Sequence, residues 1–530
     1  MSQPQRAGRF ARVVGALHRK VFGLPPGGAP YTVERGLRVP TRDGAHLITD
    51  VYAPVGEAHG TVLIRSPYGR GLPESLFHGR AFADHGYQVV LQNVRGTGGS
   101  TGKFRPIEQE AADAQDTVAW LREQPWFTGN LATLGGSYLG WTQWALMQDP
   151  PPELRAAVVM VGPHDFGRAI RGTGSFALAD FLGWSASFAG EGKAGMRALI
   201  AARRRVSAAL REPTAERAAA AALGTGGTWF ADWLTHTDLG DPFWEPYDAG
   251  AALTRAQVPV LLIGGWQDVF VDQTLEQFEL LTEHTGTAAV TIGPWTHLDL
   301  AAKAAPVTDS EALAWLDQHV AGTGPARTSP VRVFVTGAGE WRTLPAWPPK
   351  TGDQRLGLQA NGQLTEEPTV VAGAIEFTYD PADPTPAVGG RHMSGKAGRQ
   401  DNSRLERRDD VVTFTSAPLE HDLEVLGAPQ LHVWLDSDRP QADAFVRLCE
   451  VDERGRSWNV TESFTRFEPA AEPRTIALGS CAHRFRAGQR IRLQISGGAY
   501  PRYARQDGPC HYTIVCSGAA LTLPVGSSSP

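Results

Sequence analysis

The chain has 530 residues, too many for one hydrophobic core, so two or three domains are expected. With 42% hydrophobic and 20% charged residues it reads as a soluble globular protein, and a formal net charge of −6 argues against a general nucleic-acid binder, which carries a basic excess. No stretch offers the roughly 18 uninterrupted apolar residues that a membrane span needs.

The opening segment, 1–30, contains "MSQPQRAGRFARVVGALHRKVFGLPPGG", with Arg6, Arg9, Arg12, Arg19 and Lys20 and no acid before Glu34. Arginines recur throughout it, so it lacks the apolar core of a secretory signal. A basic amphipathic helix lying on a membrane surface is one reading. A tail ended by Pro25-Pro26-Gly27-Gly28 is the preferred one.

From residue 31 to about 164, short apolar runs alternate with helical stretches. "GTVLIRS", "YQVVLQNV", "LATLGG" and "LRAAVVMVG" read as strands, with helices at "AADAQDTVAWLREQ" and 141–147. Such alternation predicts a parallel sheet covered on both faces. The pattern breaks at 165–247, where no strand is expected and "GMRALIAARRRVSAALREPTAERAAAAAL" favours helix through its alanine, leucine and arginine. A helical insertion in a parallel-sheet domain is a natural cap. The sheet pattern resumes over 248–322, with strands at 259–263 and 288–292. Over 323–530, "VRVFVTG", "LHVWLDS", "AFVRLCEV", "IRLQISG" and "HYTIVCSG" are short runs separated by turn residues, which predicts an antiparallel sandwich. All four cysteines (Cys449, Cys481, Cys510, Cys516) lie there without a CxxC pair, so zinc is not expected and disulfides are not demanded. The expected compartment is cytoplasmic.

The stretch "LATLGGSYLGWTQWAL", 131–146, carries the chemistry. A strand that stops at two glycines, presents Ser137 and turns at once into helix matches a nucleophile elbow, where the serine sits on a strained turn. Such a serine needs a base, and the base an orienting acid, in the chain order Ser, Asp, His with each on a loop after a later strand. Asp268 in "VLLIGGWQDVF" and His297 in "AAVTIGPWTHLDL" meet both conditions. Asp268 capping the following helix is the structural alternative, although Asp272 is better placed for that. "GTGGSTGK" tempts a phosphate-loop reading, but Phe104 follows Lys103 and Thr97 stands where the first glycine belongs, so the match fails.

"LIRSPYGR", "NVRGTGGSTGKF", "GGSYLGWTQW", "WLTHTDLGDPFW", "GGWQDVF" and "GPWTH", in that order, resemble the CocE/NonD hydrolases, relatives of cocaine esterase, X-Pro dipeptidyl-peptidases and α-amino-acid ester hydrolases. The likeness covers essentially everything after residue 30. It implies an α/β-hydrolase domain with a helical cap insertion, followed by a C-terminal jelly-roll β-sandwich of galactose-binding-like type. It also implies Ser137 as nucleophile, Asp268 as orienting acid and His297 as general base. The oxyanion donors would be the backbone N–H of Tyr138 and the side-chain hydroxyl of Tyr68. No metal or cofactor is needed for acyl transfer by such a site. Phe270, with Trp141 or Trp184, would form an aromatic acyl pocket, unless those tryptophans are core. The "SYLG" elbow and Phe270 look closest to the plain esterase branch, so the expected partner is a small-molecule ester or amide. An X-Pro dipeptidyl-peptidase, an α-amino-acid ester hydrolase, an acyltransferase on the same triad and a catalytically silent binding protein stay open, as does a homo-oligomer.

Overall fold

The structure, a computed structural model, describes residues 5–6, 27–72, 74–189, 196–301, 303–366, 373–470 and 472–526. The basic run from Arg9 to Lys20 lies outside them. The chain forms two compact units. One comprises Met1–Phe166, Pro242–Gly264 and Gln273–Val331; the other comprises Gly167–Asp241, Gly265–Asp272 and Arg332–Pro530.

The first unit is built on a sheet of β1 (Tyr31–Pro40), β2 (His46–Pro54), β3 (Thr61–Ser66), β4 (Gln88–Asn93), β5 (Leu131–Gly136), β6 (Leu154–Met160), β7 (Val260–Gln267) and β8 (Ala288–Thr296). Their spatial order is 1-2-4-3-5-6-7-8. The β1–β2 and β2–β4 pairs are antiparallel, whereas β4–β3, β3–β5, β5–β6 and β6–β7 are parallel. "TVLIRS" and "QVVLQN" are buried along their whole length, as strands with both faces covered must be. This is the α/β-hydrolase arrangement.

Apolar patterning ends the last two strands at Ile263 and Ile292, but the extended backbone runs on to Gln267 and Thr296. Glycines follow both apolar runs and carry no patterning signal, although they do not stop a strand that has partners. Asp268 and His297 are therefore the residues immediately beyond the two strand ends.

In the second unit, Leu178–Ala186, Met196–Ala209, Ala215–Leu223 and Thr228–Thr235 are helices. Arg203, Arg204 and Arg205 are exposed, so that run is a solvated face. The strands from Thr351 onward form a β-sandwich. Gln430–Ser437 alternates, with Leu431, Val433 and Leu435 inward and Gln430, His432 and Trp434 outward. Ala442–Val451, buried throughout, lies between Ser457–Phe467 and Arg490–Ser496, antiparallel to both. All four cysteines are free and buried, and burial pushes the Cys449 and Cys481 thiols up to about 12. Among the described residues, no helix is long and apolar enough to cross a membrane.

Candidate active site

The turn between β5 and helix α1 (Tyr138–Met147) is a strained elbow. Ser137 has φ 58° and ψ −123°, a conformation that costs an ordinary residue on the order of 1–3 kcal/mol. The surroundings enforce it. Ser137 N–H donates to Met160 O at 2.9 Å, and Ser137 O accepts from Gly140 and Trp141 N–H at 2.8 and 3.1 Å. A Cβ at Gly135 would stand 2.4 Å from Leu139 Cβ, so only glycine lets the helix start this close to the strand. Every residue of α1 is buried, and the Gln143 amide ties it down by donating to Gly135 O, Leu139 O and Val158 O.

His297 opens a 3-10 turn, His297–Ala301, directly after β8. Its Nε2 lies 2.9 Å from Ser137 Oγ, and both side chains are half-buried. With the ring proton on Nδ1, Nε2 accepts the serine hydroxyl, the geometry a general base needs. Asp299 braces this turn. Its Oδ2 accepts from Thr296 N–H at 3.0 Å and Thr296 Oγ1 at 2.8 Å, and Lys303 pairs with its Oδ1 at 2.8 Å. Burial works to raise the Asp299 pKa, but the Lys303 ammonium and the Thr296 donors hold it below the ordinary carboxylate value.

Asp268 is fully buried. Its Oδ2 accepts from Phe270 N–H at 3.0 Å, and its own N–H donates to Gly265 O at 2.9 Å. By packing it belongs to the second unit, whereas Ser137 and His297 meet in the first. Tyr68 is 43% exposed, unusual for so large a ring, and its N–H donates to Ser66 Oγ at 3.1 Å. The aromatic pocket candidates differ in setting. Trp141 is 1% exposed with its ring edge-on to Phe166 at 5.5 Å, and Phe270 is 3% exposed. Trp184 is half-buried and stacks on Trp233 at 6.2 Å.

Sequence patterning does not point to what lies under the elbow. The Tyr138 phenol donates to Glu110 Oε1 at 2.7 Å and accepts Ile107 N–H at 3.0 Å. Glu110 Oε2 faces Arg65 Nη2 at 2.9 Å, and both side chains are buried. Burial pushes the Glu110 pKa up, while the Arg65 guanidinium works against that rise. Ile107 itself has φ 79°, a left-handed conformation rare for a β-branched residue. Among the described residues, no three His, Cys, Asp or Glu side chains gather as a metal site.

Residues 43–299 match the model of the X-Pro dipeptidyl-peptidase (S15) family, and residues 323–519 match the X-Pro dipeptidyl-peptidase C-terminal non-catalytic domain. The cocaine esterase of Rhodococcus sp. (strain MB1 Bresler) is 29% identical, over 90% of this chain and 92% of its own. The chain is a serine hydrolase that carries an S15-type domain followed by a domain of the X-Pro dipeptidyl-peptidase C-terminal type. The hydrolase shares its fold with an α-amino acid ester hydrolase, at TM-score 0.79 and 23% identity over 94% of this chain and 97% of that one. A CocE/NonD family hydrolase from Staphylococcus aureus gives a TM-score of 0.71 at 17% identity, over 95% and 98% of the two chains.

Proposed function

We propose that the hydrolase cleaves a small-molecule ester through an acyl-enzyme on Ser137. The observation that carries this is the 2.9 Å approach of His297 Nε2 to a serine held at φ 58°. His297 takes the Ser137 proton as Oγ attacks the carbonyl carbon, and the tetrahedral oxyanion is met by the Tyr68 hydroxyl and the Tyr138 amide. His297 then gives its proton to the departing alcohol. Water, deprotonated by the same imidazole, attacks the acyl-enzyme, releasing the acid and restoring the serine. Asp268 orients His297 and stabilises its charged form. Phe270, Trp141 and Trp184 are the candidates for contact with the acyl group. The likeness to cocaine esterase over nine-tenths of the chain favours an ester over a peptide, and four free thiols suit a reducing cytoplasm.

The test pairs labelling with turnover. A fluorophosphonate should label the hydrolase once, and Ser137→Ala should lose both label and activity while keeping its fold. Labelling that persists at another serine removes the elbow assignment. A screen of simple esters, amino-acid esters and X-Pro amides should give its highest kcat/KM with a simple ester; a clear preference for X-Pro amides overturns the ester reading.

A further inference from the structure

The segment Gly265–Asp272, which carries Asp268, is gripped by the β-sandwich on both sides of that acid. Before it, Gln267 Nε2 donates to Val460 O at 2.8 Å, and Asn459 Nδ2 donates to Gln267 Oε1 at 3.1 Å. One side chain then spans the acid. Arg391 Nε donates to Trp266 O at 3.0 Å, and its Nη1 reaches both carboxylate oxygens of Asp272 at 3.0 Å. Trp266 is two residues before Asp268 and Asp272 four residues after it.

Arg391 is itself rigidly seated. It is 3% exposed, its Nη2 donates to Ser480 O at 2.6 Å, and its backbone N–H donates to Glu462 Oε1 at 2.8 Å. Glu462 is fixed in turn by Arg447 at 2.6 Å and by Arg502. Any side chain at Gly479 would occupy the place of the guanidinium, so the backbone there has been cleared for it. A buried cation with every nitrogen committed is costly to assemble, and it is not needed merely to close a sandwich.

We infer that Arg391 is a positioning residue: by bracketing Asp268 from Trp266 O to the Asp272 carboxylate, it makes the β-sandwich part of the apparatus that holds the triad acid. The planar guanidinium suits this task, because its fork fixes two acceptors in one geometry where an ammonium would not. The inference rests on the triad reading of Asp268, and the experiment separates the two.

Arg391→Gln, Asp272→Ala and Asp268→Asn are compared in the full chain. Turnover of a slow, chemistry-limited ester is read beside the far-downfield proton resonance of an imidazole N–H bound to a carboxylate. A partly unfolded sample lowers the intensity of that resonance without moving it, so its position reports on geometry. Arg391→Gln should lower kcat by about 10–100-fold with KM changed less than about twofold, and should move the resonance upfield. Asp272→Ala removes the clamp from its exposed end and should move both readings in the same direction by less, which keeps the test alive if Arg391→Gln does not fold. Wild-type turnover and resonance in both clamp variants, beside a crippled Asp268→Asn, overturn the inference and leave the triad intact. A fully active Asp268→Asn removes the triad acid, and the inference with it.

Discussion

The phenol of Tyr138 is bound to Glu110 at 2.7 Å, so the residue that follows the nucleophile is pinned at the far end of its side chain as well as by its helix. Its ring also packs between Phe104 at 6.2 Å and Phe166 at 6.4 Å. The Glu110–Arg65 pair beneath it pays a desolvation penalty that no surface ion pair bears, and by itself it is weak evidence for stability. Its effect is to fix where the phenol sits, and through the phenol where the elbow amide points.

Tyr138→Phe tests that effect by deleting one oxygen. Glu110 Oε1 and the Ile107 N–H both lose a buried partner, and each unsatisfied group costs about 1–3 kcal/mol. Urea unfolding should therefore show a clear loss of stability. Turnover should fall with little change in KM, because the Tyr138 amide acts on the oxyanion and not on the ground-state ester. A variant with wild-type stability and rate would show that the hydroxyl anchors nothing.

Tyr68→Phe should behave in the opposite way. The ring is 43% exposed, so losing its hydroxyl should change stability by less than about 0.5 kcal/mol. If the phenol is an oxyanion donor, kcat on a chemistry-limited ester should drop by roughly 10²–10³, about 2.7–4 kcal/mol, at nearly constant KM. Near-normal turnover would make this tyrosine a surface ring and leave the second donor to be found elsewhere.

What could be read in the sequence, and what could not, divides by range. Ser137 is legible because two glycines at a strand-to-helix junction serve neither core packing nor an ordinary loop. His297 is legible because it follows a strand that apolar patterning marks, although the patterning stops at Ile292 and the strand at Thr296. Gln430–Ser437 shows its sandwich character in its alternation. Glu110, by contrast, looks like any first-turn acid of a surface helix, and only the fold turns it under the elbow toward Arg65. Arg391 sits in "GGRHMSGK", a stretch with no periodicity, and its partner Asp272 is 119 residues away. The grouping of the helical segment with the sandwich has the same character. It rests on single bonds such as Arg466 N–H to Thr173 O at 2.7 Å and Met393 N–H to Asp180 at 2.8 Å, which no local pattern encodes.

Asp309 gives a prediction about pH. One of its carboxylate oxygens is enclosed without a partner, and the only donor bonded to its other oxygen among the described residues is Thr308 Oγ1 at 3.5 Å. Burial pushes its pKa up to about 7, while nearby His78, itself paired with Glu74 at 2.8 Å, works against the rise. In the unfolded chain an aspartate titrates near 3.9. Between about pH 4 and pH 7 the folded state thus holds a proton that the unfolded state has released. The contribution of Asp309 to stability therefore declines as pH rises through that window and levels off above it. Asp309→Asn keeps the shape and removes the charge, so its contribution should be flat with pH. At about 1.4 kcal/mol per unit of displacement, the variant should exceed the wild type at pH 8 by on the order of 2–4 kcal/mol and match it near pH 4. Urea unfolding of both proteins at pH 4.5, 6 and 8 measures this directly. Parallel stability curves across the three pH values would mean that Asp309 is ionised throughout and that solvent reaches its carboxylate.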